Sequence, residues 1–145
     1  MRNLTKDWVT AGDAIFTVNT PANGHYTFRV TYLKGNDRWP ESWFVKLLTG
    51  PDNTRSYTYL GKLNPETGAV ATTPKSRKFE GSFPHRLVNR ILARVWAGDH
   101  AAYENHGFTA THAGYCGRCA RLLTVPESVE SGYGPECVKL ICKSR

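Results

Sequence analysis

The chain has 145 residues, of which 40% are hydrophobic and 21% charged, with a formal net charge of +7 at pH 7. That length suits one ordinary domain with a core of its own, or one domain with a small appended module. The ordinary composition excludes a disordered polyelectrolyte, and the lack of any run of about eighteen apolar residues predicts a soluble chain rather than a membrane-spanning one. The basic excess points to an anionic partner, whether nucleic acid or an acidic protein surface, or simply to good solubility.

In chain order, Met1 to Gly12 is mixed and polar, with Trp8 and Val9 as anchors onto the body. Strand-like patterning begins at Ile15–Val18 and resumes over His25–Leu33, where Tyr26, Phe28, Val30 and Tyr32 alternate with polar residues at the period of a half-buried strand. The run 34–41 is a turn-rich loop, and Ser42–Leu48 is a more apolar strand. A turn at Gly50–Asn53 leads to a strand at Tyr57–Leu63, and a second turn at Asn64–Gly68 closes a hairpin to Ala69–Thr72. An antiparallel meander of about five strands is expected. Aromatic residues on an open sheet face can stack bases, but alternating aromatics on antiparallel strands more often fill a core, the role expected of Phe28, Val30 and Phe44. Trp39, beside Pro40 in a polar loop, is either an exposed partner contact or a lid over the sheet edge. His25 and Lys46 read as solvated.

Ser82–Gly98 carries the clearest helix. Ser82 is placed to cap it, Pro84 suits its first turn and Gly98 its end. Leu87, Val88, Ile91, Leu92, Val95 and Trp96 share one face. Arg86, Arg90 and Arg94 recur every four residues, about 6 Å apart along the axis, and form a basic stripe beside it. With Lys75, Arg77 and Lys78 just upstream, this stripe can meet successive phosphates, or it can merely solvate the helix edge. Residues 99–107 read as a short second helix, with His100 and His106 on its surface.

No phosphate-binding glycine loop, nucleophile elbow or His-Glu-x-x-His helix occurs, so catalysis has no motif behind it. Glu127 and Glu130 lie near the cysteines without the His-x-Glu of zinc deaminases. Glu127 instead pairs with Thr124 as a capping box.

The cysteines crowd into the last part of the chain. Cys116 and Cys119 form a Cys-x-x-Cys knuckle, a spacing that aims two thiolates at one ion. Cys137 is the third ligand, and Pro135 places it at a helix N-terminus that favours a thiolate. Knuckle, hairpin and ligand-bearing helix together make a treble clef. The fourth ligand is His112 or Cys142. Five residues along a helix turn a side chain by about 140°, so Cys137 and Cys142 share an ion only if that helix breaks early, which favours His112. Disulfides are the weaker reading, because Met1–Trp8 lacks the apolar run of a signal peptide and the cysteines cluster locally. The metal expected is structural Zn(II), and the compartment a reducing cytoplasm.

The run from Cys116 and Cys119 through Leu123, Thr124, Pro126, Glu127 and Ser128 to Gly132, Gly134, Pro135 and Cys137 resembles a small zinc-binding domain common in bacteriophage proteins and catalogued as a family of unknown function. The resemblance covers about residues 112–142, and Leu48–Gly61 is similar, more weakly, to what often precedes that domain. It implies a zinc site in a phage protein and no activity; the compartment would then be the bacterial host cytoplasm. Ala120 departs from the pattern, being commonly glycine.

The expected fold is α+β: residues 1–108 an antiparallel sheet packed by one amphipathic helix, and 109–145 a treble-clef-like zinc module. The expected function is non-catalytic binding of nucleic acid through the basic helix and the module, using Lys75, Arg77, Lys78, Arg86, Arg90, Arg94, Arg118, Arg121 and Trp39. The alternative is a phage-encoded modulator that binds a host protein, and a third reading is a metal-dependent enzyme.

Overall fold

The computed structural model describes residues 4–52, 55–121, 123 and 130–137. In chain order its elements are α1 (Lys6–Val9), β1 (Asp13–Asn19), β2 (His25–Leu33), β3 (Ser42–Leu48), β4 (Tyr57–Leu63), β5 (Val70–Ala71), a 3-10 segment (Pro74–Phe79), α2 (Phe83–Ala97), α3 (Ala101–Glu104) and β6 (Thr109–His112). The strands form one antiparallel sheet in the order β5-β4-β3-β2-β1-β6. The meander β1 to β5 follows the hydrophobic alternation. β6 does not: its sequence is mostly polar, and it becomes a strand by pairing with β1, Val18 opposite Ala110 and Phe16 opposite His112.

One face of the sheet is the core. Phe16, Phe28 and Leu47 lie side by side across β1, β2 and β3, as do Ala14, Val30 and Val45. The rings of Phe16 and Phe28 are 5.6 Å apart. α2 closes this face with Leu87, Val88, Ile91, Leu92 and Val95, all buried, while Trp96 is half-buried and donates from Nε1 to the Pro65 carbonyl at 2.9 Å. The helix ends are those the sequence predicts: the Ser82 hydroxyl accepts from the His85 amide, and Gly98 turns the chain out at φ +70°.

Phe44 is not in this core. Val45 and Leu47 point inward, so strict alternation along β3 sends Phe44 and Lys46 to the opposite face. An irregularity between β3 and β4 adds to this. Val45 pairs with Gly61 but Lys46 pairs with Tyr59, which leaves Leu60 as an extra residue, buried together with Gly61. This bulge resets the alternation of β4. Counting back from the inward Leu63 would turn Tyr59 to the core, whereas the bulge puts it beside Phe44, with ring centroids 5.8 Å apart.

Polar side chains tie α2 to the edge strand. The Asn89 carboxamide accepts from the Val70 amide at 2.8 Å and donates to the Val70 carbonyl at 2.9 Å, and His85 Nε2 meets the same carbonyl at 2.8 Å. A two-residue strand cannot hold itself in register, so these bonds complete its ladder. Asn89→Ala should therefore lower folding stability by about 2 kcal/mol, the cost of stranding half-buried backbone groups, as measured by chemical denaturation.

Candidate metal centre

β6 delivers the chain to the knuckle. After His112 the Ala113 amide still donates to the Ile15 carbonyl at 2.9 Å, and the backbone then folds back on itself. Cys116 N–H donates to Arg121 O at 2.9 Å, Ala120 N–H to Cys116 O at 2.8 Å, and Leu123 N–H to Gly114 O at 2.8 Å. Cys116 and Cys119 are held across this tight turn. Cys137 arrives on the helical turn 135–137, opened by Pro135 as the sequence predicts.

The sulfurs of Cys116, Cys119 and Cys137 all lie within 4.8 Å of one another. Thiolates at about 2.3 Å from one tetrahedral ion stand roughly 3.8 Å apart, so the three are close enough to bind a metal. Cys116 and Cys137 are buried and Cys119 is exposed, and none forms a disulfide. The electrostatics favour a thiolate at Cys116. Burial disfavours the charged form of Cys116, but N–H groups of Gly134, Cys119 and Arg118, with a further bond from Cys137, draw its pKa below the ordinary value. Cys137 is pushed up to about 11, first by burial and then by its two cysteine neighbours, against the pull of Arg118, whose Nη1 donates to Cys137 Sγ at 3.7 Å. Cys116 therefore gives up its proton more readily than Cys137.

His112 stands at the end of β6, with Nδ1 accepting from the Gly114 amide at 3.1 Å and its ring 5.9 Å from that of Trp8. Among the described residues the clustered donor atoms are those of the three cysteines, and His112 is not one of the group. Cys142, Thr124 and Glu127 lie outside the described residues. Of the other sequence candidates, Arg118 and Arg121 flank the knuckle and are exposed, as are Lys75, Arg77, Lys78, Arg86, Arg90 and Arg94. Arg90 lies over the Phe108 ring at 4.9 Å, and Arg94 approaches Asp99 at 3.9 Å. Trp39 is 67% exposed, which removes the reading of it as a lid.

Sequence reasoning missed what the knuckle rests on. Trp8 is fully buried, its indole lies against Gly117, and its Nε1–H donates to the Gly132 carbonyl at 2.7 Å. That carbonyl also accepts from the Gly117 amide at 2.9 Å. The Asp13 amide donates to Gly117 O at 3.0 Å. The glycine inside Cys-x-x-Cys was the visible signal, since a Cβ there would collide with the indole. Its partner, more than a hundred residues away, was not legible.

These residues are similar to one described family: DUF6011, a family of unknown function, matches residues 107–141. No curated protein and no solved structure matches the chain.

Ala120 has φ +60°, in the left-handed region. A left-handed alanine costs roughly 1–2 kcal/mol, partly offset by its smaller unfolded-state entropy. Ala120→Gly should raise stability by roughly 0.5–1 kcal/mol, while Gly117→Ala should lower it by about 1–3 kcal/mol through overpacking on Trp8. Both are read by denaturant unfolding with metal present.

Proposed function

We propose that Cys116, Cys119 and Cys137 hold structural Zn(II) in a treble-clef-like module closed by His112, with Cys142 as the alternative ligand, and that the protein is a non-catalytic binder of nucleic acid. Soft sulfur donors, two of them buried at a turn, fit zinc better than a hard cation. A site closed by four protein ligands leaves no place for an activated water. In so small a module zinc would supply folding energy on the order of 10 kcal/mol.

Metal analysis of protein purified without chelator should show zinc. Cys142→Ala should leave the zinc content unchanged and His112→Ala should weaken retention; the opposite result moves the site to four cysteines, and no effect from either revives an open, catalytic position. Cys116→Ser tests the division into 1–108 and 109–145. Unfolding confined to the module supports that division, and loss of the whole fold makes the module part of the core.

The observation that carries the nucleic-acid reading is the array of unneutralised cations. Lys75, Arg77, Lys78, Arg86 and Arg90 are exposed and meet no carboxylate among the described residues. Arg118 and Arg121 extend positive charge onto the module. Binding of this kind weakens steeply with salt, at a log-log slope near −0.9 per phosphate contacted on duplex DNA. Arg90→Glu should weaken nucleic-acid binding and flatten that slope by roughly 1 or more, measured by anisotropy titration at several salt concentrations.

A second reading rests on Trp39. Asn36 Oδ1 accepts from the amides of Arg38 and Trp39, and the Asn36 amide donates to Trp39 O, so a firm turn presents the indole to solvent. Leu33, 56% exposed, stands at the end of β2. Exposed aromatics of this kind anchor protein interfaces, as a phage-encoded modulator of a host protein in the bacterial cytoplasm would require. A stoichiometric protein partner retained from nuclease-treated host lysate, and lost with Trp39→Ala, would favour this reading over the first. Among the described residues no helix is long and apolar enough to cross a membrane.

A further inference from the structure

α2 covers one face of the sheet; the other carries a groove of about 450 Å³ built from side chains that the alternation turns away from the core. Its floor is aromatic. Phe44 from β3 and Tyr59 from β4 meet edge to face, with centroids 5.8 Å apart, both half-buried. The bulge at Leu60 and Gly61 is what brings Tyr59 here, and the Tyr59 hydroxyl is held by the Thr73 hydroxyl at 3.3 Å. Irregularities that re-aim a side chain in this way gather at functional sites.

The walls are cationic. Lys46 rises from β3 beside the rings, and Lys75 and Lys78 project from the 3-10 segment, whose Ser76 is fully buried and anchors it through the Thr73 amide at 3.0 Å. Among the described residues no carboxylate lines the groove. Glu80, which caps the C-terminal end of the 3-10 segment, accepts from the Thr72 hydroxyl. On the same sheet face Asp13 is matched by Arg29 through two bonds of 2.7 and 2.6 Å, so it does not offset the lysines.

Rings in a shallow groove with lysines on its rim match an unpaired nucleotide: the base packs on the aromatic floor and the flanking phosphates meet the ammonium groups. A duplex keeps its bases stacked inside and offers the rings nothing. We propose that the groove of Phe44, Tyr59, Lys46, Lys75 and Lys78 is a binding site for single-stranded nucleic acid. This rests on the nucleic-acid reading above and deepens it, because it assigns Lys75 and Lys78 to the sheet face opposite α2 and selects single strands over duplex.

The test uses the full zinc-loaded chain and two probes: a fluorescein-labelled oligothymidylate and the same strand annealed to its complement. Wild type should bind the single strand more tightly. Phe44→Leu should weaken single-strand binding by about fivefold or more and leave duplex binding unchanged. The double variant Lys75→Glu, Lys78→Glu, altered only at exposed positions, should weaken it further and reduce its salt dependence; thermal unfolding confirms that both variants are folded. Unchanged single-strand affinity in both variants, with binding still lost in Arg90→Glu, would overturn the groove and leave the nucleic-acid reading standing. Equal or tighter binding of duplex by the wild type would also overturn it. No binding of either probe by the wild type would overturn both.

Discussion

A buried indole ties α1 to the cysteine knuckle. Trp8 sits where α1, the knuckle and the first strand converge, and its single polar atom must find a partner once buried. The Gly132 carbonyl supplies it, using one lone pair for the indole and the other for the Gly117 amide. Only glycine at position 117 leaves room for the ring. The turn that gathers Cys116 and Cys119 is therefore shaped from inside by a residue near the N-terminus, and the cluster's geometry depends on the sheet as well as on its own loop.

β1 extends the same dependence. It is flanked on one side by β2, its neighbour in sequence, and on the other by β6, which comes from far along the chain, Thr109 pairing with Asn19. The strand that leads into the cysteines is thus part of the ladder, and Ala113 and Asp13 continue its hydrogen bonding to the knuckle. A metal bound by the cysteines would meet a preformed turn on two sides, with Cys137 brought in by the helical turn at Pro135.

The two faces of the sheet divide the labour. Burial of Phe16, Phe28, Val30 and Val45 under α2 accounts for the core, and the helix spends its apolar stripe there, leaving Arg86, Arg90 and Arg94 outward. The opposite face keeps half-exposed aromatics among lysines. It does so because a bulge in β4 sacrifices one ladder position, a local cost retained where it turns Tyr59 outward beside Phe44.

Much was legible in the sequence because it is written in local periodicity. The alternation of Tyr26, Phe28, Val30 and Tyr32 specifies β2, the apolar stripe with Ser82 and Gly98 at its ends specifies α2, and Cys116-x-x-Cys119 with Pro135 before Cys137 specifies three converging sulfurs. Each of these depends on residues within a few turns of one another. What the tertiary structure decided depends on partners far apart in the chain. The polar run Thr109–His112 is a strand only because β1 offers an open edge, and Trp8 is a wedge under the knuckle only because Gly117 and Gly132 come to meet it. Phe44 and Tyr59 share the outer face only because the pairing of β3 with β4 slips by one residue, and a slip in register leaves no mark in the composition of either strand.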